Sequence, residues 1–382
     1  MKNTLRNRIV FFALLVYTLL ILSCSAGGRQ AVNVEKVTSL YGAAFLKLEV
    51  GNFKDAEASF RQLLLEGGKS PHGNTGMAML EAERGNYLRA TFHSKKAIRL
   101  DDRFSDAWMA RGHVLSMRRN GENWFDEASA CFVKALEIDS ENERALYYYA
   151  NSALMAGRFD EASELFVTVA MRKQRLAGRA RSRMTLAATL RDASPVVPSC
   201  IDIGLDGTVD RAGLAVLLIE QLGIVEIVGS RRPDLYRSSY GAEGSSETKH
   251  VYSGKETDDD RVRDTIARLT PLKLTGLSIY PNGMFYPDKL ITRAQFATVI
   301  QDIASIINDD DTITTRYIGS ETPFRDVRND YYAFNAIRFC MDNDLLPHDA
   351  KSGEFRPYDS ISGGEALLAL RRLADFFAEK SG

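Results

Sequence analysis

The chain has 382 residues, of which 45% are hydrophobic and 26% are charged, and its formal net charge is −1. The length exceeds that of one ordinary domain, and the composition supports packed cores and excludes a largely disordered chain. A charge balance this close to neutral also excludes a bulk attraction to nucleic acid.

The N-terminal segment is organised like an export signal. Lys2, Arg6 and Arg8 make it positively charged, and an apolar stretch from Ile9 to Leu22 follows. These 14 residues are fewer than the roughly 20 that a membrane-spanning helix needs, but they suit the apolar core of a signal peptide. We therefore expect residues 1–23 to be a signal peptide.

The signal ends in Ile21-Leu22-Ser23-Cys24, which resembles the lipobox of bacterial lipoproteins. The resemblance implies that Cys24 is lipidated and that acyl chains hold the mature chain in a membrane. Because Ser25 rather than aspartate follows, it favours the outer membrane, facing the periplasm, in a host with two membranes. The alternatives are cleavage after Ser25 and a retained anchor helix. Residues 24–36 are predicted to be a tether.

Residues 37–170 have an internal period. Gly51 and Gly85 are 34 residues apart, and alanines 56, 90, 128 and 162 are spaced by 34, 38 and 34 residues. We expect the four extra residues of the third unit in the turn at 120–124. Small residues allow paired helices to approach closely, and aromatic residues fill the gap to the next helix. This period resembles that of the tetratricopeptide repeat, so the resemblance implies a mainly α solenoid of four helical hairpins.

Solenoids of this family bind partner proteins along a concave face formed by first helices. The register predicts these peptide-binding side chains: Tyr41, Phe45, Thr75, Met79, Met109, His113, Tyr147 and Asn151. A lining rich in aromatic residues and methionine suits an extended or helical segment of another protein. The alternative is that some of these side chains pack internally. His113 has no carboxylate near it in sequence, so we expect a groove or core residue.

Residues 171–195 follow as a basic segment, with an amphipathic helix predicted over 171–192. We expect a polar helix that caps the solenoid, and then a short linker. The alternative is a basic strip that contacts an anionic wall polymer or a membrane face.

A second motif is clearest in residues 256–306. There Pro287 lies in a turn, and Ile291-Thr292-Arg293-Ala294-Gln295 opens a helix. Thr292 is a good N-cap, and Gln295 three residues later completes a capping box. A further copy, 322–380, begins at Phe324 but has Gly363 where the arginine is expected.

A weaker copy, 196–228, carries Asp210 and Arg211 but lacks a first helix, for which the preceding basic helix is a candidate. Residues 229–255 are expected to be a surface loop. All three copies resemble S-layer homology motifs. That resemblance implies a helical domain with pseudo-threefold symmetry over 196–382, whose grooves bind peptidoglycan or cell-wall polysaccharide.

The same resemblance implies glycan-binding roles for Asp210, Arg211, Thr292, Arg293 and Gln295. The two arginines would contact anionic sugar substituents through their planar guanidinium groups, and the third groove, which lacks an arginine, would be silent. The alternative is that these residues only organise the fold.

The cysteines other than Cys24 form no CxxC pair. We expect Cys131 and Cys340 to be small apolar residues on helix faces, and a bridge between Cys200 and Cys340 is the alternative. The sequence contains no Walker-type phosphate loop, HExxH or GxSxG motif. We therefore predict no enzyme, no cofactor and no metal site.

The sequence thus predicts a non-enzymatic lipoprotein of the cell envelope. Its partners would be membrane lipid, a wall polymer at the C-terminal repeats and an unidentified envelope protein at the solenoid, with no nucleic acid. The alternative is an assembly or secretion accessory scaffold, whose solenoid binds a component of an envelope machine and whose C-terminal repeats only pack.

Overall fold

A computed structural model describes residues 34–66, 70–240 and 260–379, and every regular element in these ranges is a helix. The predicted mainly α fold class is confirmed. Contacts divide the chain into two compact units, the first ending at Asn142 and the second beginning at Glu143. The predicted signal peptide and the predicted lipidation site, Cys24, lie outside the described residues.

The first unit contains three helical hairpins, α1–α2, α3–α4 and α5–α6. Their helices are α1 (Val34–Glu49), α2 (Phe53–Glu66), α3 (His72–Glu83), α4 (Tyr87–Leu100), α5 (Ser105–Arg118) and α6 (Trp124–Ile138). The hairpin turns contain Gly51, Gly85 and Gly121, with φ angles of 75°, 74° and 84°. Glycine adopts this left-handed backbone without steric cost, which is why it recurs with the period.

The third hairpin is longer in two places. Its first helix, α5, has 14 residues where α3 has 12. Residues 119–123 join α5 to α6, whereas residues 84–86 join α3 to α4. The extra residues are therefore shared between a helix and a turn, and the expectation that all of them lie in the turn was wrong.

Glycine residues, which have no side chain, allow the helices in this unit to pack closely. A Cβ atom on Gly76 would overlap the ring of Phe60, and one on Gly112 would come within 2.9 Å of the ring of Phe132. Both rings are fully buried. Each aromatic ring thus occupies space that a glycine leaves open, which is the close packing that the period predicted.

The second unit begins with a fourth hairpin and continues into the C-terminal copies. Its helices are α7 (Glu143–Met155), α8 (Phe159–Met171), α9 (Ala177–Ala193), α10 (Pro198–Leu205), α11 (Arg211–Val216), α12 (Ile224–Arg231), α13 (Pro233–Tyr240), α14 (Asp260–Leu269), α15 (Arg293–Asn308), α16 (Phe334–Asp342) and α17 (Gly363–Glu379). A π-helical segment, Leu217–Gln221, extends α11.

Two helix boundaries differ from those predicted. The basic segment is not one helix from 171, because α8 ends at Met171 and α9 begins only at Ala177. Between them Lys173 has a φ of 54°, which interrupts helical geometry. The expected surface loop contains α13, whose Leu235 packs against the hydrophobic core.

Three chain segments meet at the centre of the C-terminal copies. The amide of Val209 donates to the carbonyl of Ile361 at 2.9 Å, Ile291 donates to Val209 at 2.8 Å, and Ile361 donates to Ile291 at 3.0 Å. All three side chains are buried. This closed cycle relates three equivalent segments by a pseudo-threefold axis.

Helix packing follows the same cycle. Helix α14 packs on α11, and α16 packs on α15, so each first helix contacts the second helix of the preceding copy. Helices α9 and α10 both pack on α17, the second helix of the third copy, which closes the cycle. The basic helix α9 thus takes a position that the first copy would otherwise leave empty.

Within the described ranges no single helix is long and apolar enough to span a membrane. One bent pair, Arg211–Gln221 with Ile224–Arg231, meets the length and composition criteria together.

Candidate functional site

Arg211 joins the first C-terminal copy to the second. Its side chain is buried, with the residue 3% exposed. The guanidinium donates from Nε to the carbonyl of Phe285 at 2.7 Å, from Nη1 to Gly276 at 2.8 Å and from Nη2 to Ser278 at 2.8 Å. It also lies 4.4 Å from the centre of the Phe285 ring.

Arg293 makes the equivalent connection from the second copy to the third. It is 2% exposed and donates to the carbonyls of Phe355 at 2.8 Å and Pro347 at 2.7 Å. Its Nη1 donates to Oε1 of Glu365 at 2.7 Å. Burial lowers the pKa of Arg293, and the negative charge of Glu365 opposes this shift.

Both arginines were predicted to contact a ligand, and the structure places them inside the fold instead. A planar guanidinium has five N–H donors, so a single side chain satisfies several carbonyl groups of a neighbouring turn. Each of these arginines therefore holds two neighbouring copies together, and we call it an arginine latch. Its position in the motif reflects packing.

Gly363 stands where the third copy would carry its arginine. A Cβ atom on Gly363 would overlap the carbonyl oxygen of Ile203, and the amide of Gly363 donates to the carbonyl of Asp206 at 3.0 Å. Only residues 206–210 join α10 to α11, so the first copy lacks the long turn that receives an arginine in the other two. The third copy therefore has glycine instead of arginine at the place where the first copy has no long turn to accept an arginine.

The remaining predicted glycan-binding residues lie at helix N-termini and are half-buried. Thr292 Oγ1 accepts from the amide of Gln295 at 3.2 Å, and Gln295 Oε1 accepts from the amide of Thr292 at 3.0 Å. The predicted capping box is therefore confirmed. Asp210 Oδ1 accepts from the amide of Gly213 at 2.7 Å and caps α11.

A cleft of about 620 Å³ lies at the first junction, between the first and second copies. Asp206, Asp210 and Asp288 contribute its carboxylates. Its apolar lining comes from Ile203, Val209, Ala212, Val216, Val262, Pro287 and Leu290. Burial, together with the charges of Asp202 and Asp210, raises the pKa of Asp206. The cleft is therefore acidic, which opposes binding of the anionic substituents expected from the sequence.

The predicted peptide groove is mostly internal. Six of its eight side chains are buried: Tyr41, Phe45, Thr75, Met79, Met109 and His113. Tyr147 and Asn151 are half-buried. The hydroxyl of Tyr41 donates to Oδ2 of Asp106 at 2.8 Å, which connects α1 to α5. These positions are internal because α1, α3 and α5 pack on one another and on their hairpin partners, and the ring of Phe45, for example, contacts that of Phe60 on α2.

His113 has a carboxylate partner 30 residues away in sequence, which its local neighbours did not reveal. Its Nε2 lies 2.9 Å from Oε1 of Glu83. Burial by itself raises the pKa of Glu83, but the hydrogen bond and charge of His113 outweigh it and leave this pKa below its ordinary value. The pair links α3 to α5 inside the first unit.

The outer surface of the first unit carries an apolar pair that the sequence analysis missed. Leu88 is 84% exposed and Phe92 is 55% exposed. They lie four residues apart on α4, so they are neighbours on one face of the helix. Lys96 lies 5.8 Å from the Phe92 ring centre.

The cysteines of the described residues are free thiols. Burial raises the pKa of Cys200 to about 11 and also raises the pKa of Cys340. Cys200 and Cys340 thus do not form the disulfide bridge that was the alternative prediction. Among the residues that are described, no group of three or more histidine, cysteine or carboxylate side chains could hold a metal ion.

The hairpins and the three-copy ring define a chain built from two kinds of helical repeat. Residues 121–183 match the family model of the tetratricopeptide repeat, and residues 278–297 match that of the S-layer homology domain. The second match includes Phe285, which accepts from Arg211, and Arg293, which donates to Phe355. It therefore covers one partner of each arginine latch. No curated protein matches the sequence.

These two matches set the class of function. Tetratricopeptide repeats indicate protein–protein interaction, and the S-layer homology domain indicates cell-wall binding and association with the cell envelope. Both are non-catalytic domain families.

Proposed function

We propose that the chain is a lipid-anchored adaptor of the cell envelope. Acyl chains on Cys24 hold it in a membrane, its C-terminal ring binds peptidoglycan or wall polysaccharide, and its helical repeats bind an envelope protein. Two weak attachments on one chain raise each other's effective concentration, so together they give durable anchoring. Membrane fractionation tests the anchor, because Cys24→Ala is expected to release the chain.

The cleft at the first junction is the observation that carries the wall-binding part. It opens beside the capping carboxylate of Asp210 and is walled by both apolar side chains and carboxylates. Sugar rings present apolar faces and many hydroxyl donors, so this combination suits a glycan whose hydroxyl groups donate to carboxylates. In this proposal Asp210, Thr292 and Gln295 lie at ligand-accessible junctions, and Arg211 and Arg293 hold those junctions in shape.

The protein-binding part is supported by the exposed pair Leu88 and Phe92. A large aromatic ring next to an aliphatic side chain is a common anchor in protein interfaces. We propose this outer face of α4 as the partner surface, in place of the six buried positions. A photo-crosslinking residue at position 88 is expected to capture an envelope protein, whereas one at exposed Lys134 on α6 is the matched control.

Co-sedimentation tests the wall-binding part. The full chain in mild detergent is mixed with purified sacculi, with and without their covalently attached polysaccharide, and the bound fraction is measured. Retention on either preparation is expected, and Asp288→Lys is expected to reduce it, because a bulky cation fills the cleft mouth. Asp375→Lys, on the exposed side of α17, is the control. No retention on any preparation would exclude wall binding.

A second function, a scaffold for assembly or secretion, is favoured by one observation. Both arginines that the family resemblance assigned to a ligand are occupied by the protein itself. In that case the C-terminal copies only pack, and the chain acts through its helical repeats. Crosslinking through α4 without any retention on sacculi would support this function over the first.

A further inference from the structure

Two tyrosines are unusually accessible at the second junction, between the second and third copies. Tyr332 is 67% exposed and Tyr358 is 73% exposed. Among the aromatic side chains that the structure describes, these two are the most exposed. Two large rings in water lose the stabilisation that apolar burial would give, so their exposure indicates a binding surface.

A third tyrosine holds both rings in place. The ring centre of Tyr331 lies 4.7 Å from that of Tyr332, with 56° between the planes, and 5.7 Å from that of Tyr358, at 74°. Tyr331 is itself half-buried. Burial, with additional contributions from the charges and hydroxyl hydrogen bonds of Tyr332 and Tyr358, raises the pKa of Tyr331. The three side chains therefore form a pre-organised cluster.

The pseudo-threefold axis relates Tyr358 to a residue of the acidic cleft. At the first junction, the carbonyl oxygens on either side of Asp288 accept hydrogen bonds from the start of α11. At the second junction, the carbonyl oxygens on either side of Tyr358 accept hydrogen bonds from the start of α15. Asp288 lines the cleft at its junction. Tyr358 therefore occupies a position whose symmetry equivalent already lines a cavity.

We propose that Tyr332 and Tyr358 form an aromatic platform that stacks on the sugar rings of an uncharged stretch of wall glycan. This inference rests on the proposed wall-binding function and names the chemistry of a second contact for it. One face of a pyranose ring carries several axial C–H bonds, whose partial positive charge complements the negative face of an aromatic ring. Tyrosine supplies a large, rigid contact at a small entropic cost.

The charges around the platform favour an uncharged ligand. Arg328 pairs with Asp330 at 2.6 Å, and Arg356 lies 3.8 Å from Asp359. These two pairs are exposed and balance each other in sign, so they offer donors and acceptors to hydroxyl groups without selecting a charge. The charged pairs that flank the rings also leave them without the surrounding apolar side chains that the core of a protein interface usually contains.

Aromatic replacement separates ring stacking from hydroxyl contacts. The full chain, in mild detergent, is titrated with untreated and with trypsin-treated sacculi, at low and at high salt, and four forms are compared: the unaltered chain, Tyr332→Ala with Tyr358→Ala, Tyr332→Phe with Tyr358→Phe, and Ile318→Ala. Ile318 is an exposed apolar residue of the same unit and serves as the matched control. Circular dichroism confirms that each form is folded.

The double alanine form is expected to bind about tenfold more weakly, which corresponds to about 1.4 kcal/mol, while the phenylalanine and Ile318→Ala forms bind like the unaltered chain. Equal binding by the double alanine form overturns the platform and leaves wall binding intact. Equal loss in the phenylalanine form shows that hydroxyl groups, not rings, make the contact. Retention that trypsin treatment abolishes identifies a protein ligand, and a steep fall with salt identifies a charged polymer; both overturn the proposal. No retention of the unaltered chain overturns the proposed function as well.

Discussion

Each buried arginine stabilises a junction by donating to oxygen atoms of the neighbouring copy, which satisfy the hydrogen bonds of its buried guanidinium. Two of the three acceptors of Arg293 are backbone carbonyls on the third copy, and the remaining acceptor is the carboxylate of Glu365. Burying an unpaired carbonyl or a lone charge costs more than an average hydrogen bond gains. The latch residues should therefore be sensitive to replacement, whether or not a ligand is present.

Arg293→Ala is expected to lower the free energy of unfolding by about 3 kcal/mol, because it removes the cation that pairs with Glu365 and the donor to two carbonyls. This figure is at the low end for a broken buried pair, since the Glu365 side chain is 38% exposed. Urea unfolding of the full chain measures it. The exposed Arg356→Ala is the control, expected to change stability by less than about 0.5 kcal/mol. Similar effects of the two replacements would contradict the latch.

Gly363→Ala tests the explanation for the missing third arginine. The added methyl group would overlap the carbonyl oxygen of Ile203, which is backbone and cannot rotate away. We expect the free energy of unfolding to fall by about 2–3 kcal/mol, as at other overpacked sites, and thermal unfolding measures this change. Gly178→Ala, on the exposed face of α9 with nothing within 4 Å, is the matched control and should be neutral or stabilising by up to about 1 kcal/mol. If Gly363→Ala were as stable as its control, the space would not be filled as described.

At the scale of elements, the short connection between α10 and α11 concentrates negative charge. Burial and the neighbouring carboxylates of Asp202 and Asp210 raise the pKa of Asp206. A carboxyl group whose pKa is higher in the folded state destabilises that state when it is ionised. Its cost is therefore present at neutral pH and disappears as the pH falls through the raised pKa.

Asp206→Asn is consequently expected to raise the melting temperature at pH 7, and the gain should shrink toward zero at pH values below about 4. Melting curves at several pH values check this, with the exposed Asp375→Asn as control. A gain that is independent of pH, or a loss of stability at pH 7, would contradict the assigned repulsion.

Local signals explain why many elements were predictable. The turn glycines at 51, 85, 121 and 157 all adopt positive φ, and the capping box of α15 forms between residues three apart. The break between α8 and α9 was not predictable in this way. There the amide of Leu176 donates to the carboxylate of Glu143 at 2.7 Å, a contact between residues 33 apart in sequence.

At the scale of the whole molecule, α9 packs on α8 of the fourth hairpin and also on the C-terminal copies. Its Leu190 and Ala193 are part of their hydrophobic core. A Cβ atom on Gly204 would meet both Leu190 and Leu367 at 2.6 Å, so three elements converge there. The compact unit that contains them begins at Glu143, well before the boundary at 196 that the motif pattern indicated.

A fragment of residues 143–382 is therefore expected to unfold cooperatively, whereas a fragment of residues 196–382 should not. The shorter fragment exposes the face of α17 that α9 covers, and it loses the apolar burial that this contact provides. Calorimetry and near-ultraviolet circular dichroism of the two fragments measure the difference. Equal cooperativity would place α9 outside the folding unit.

The sequence by itself determined the repeat period, the turn glycines, the caps and the helical class, because each depends on contacts among residues a few positions apart. Only the tertiary structure decided which motif residues reach solvent. Arg211 and Arg293 find their acceptors 54 to 74 residues away along the chain, and Tyr41 finds Asp106 at a separation of 65. Burial is set by the elements that pack over a side chain, and the residue type alone does not specify those elements.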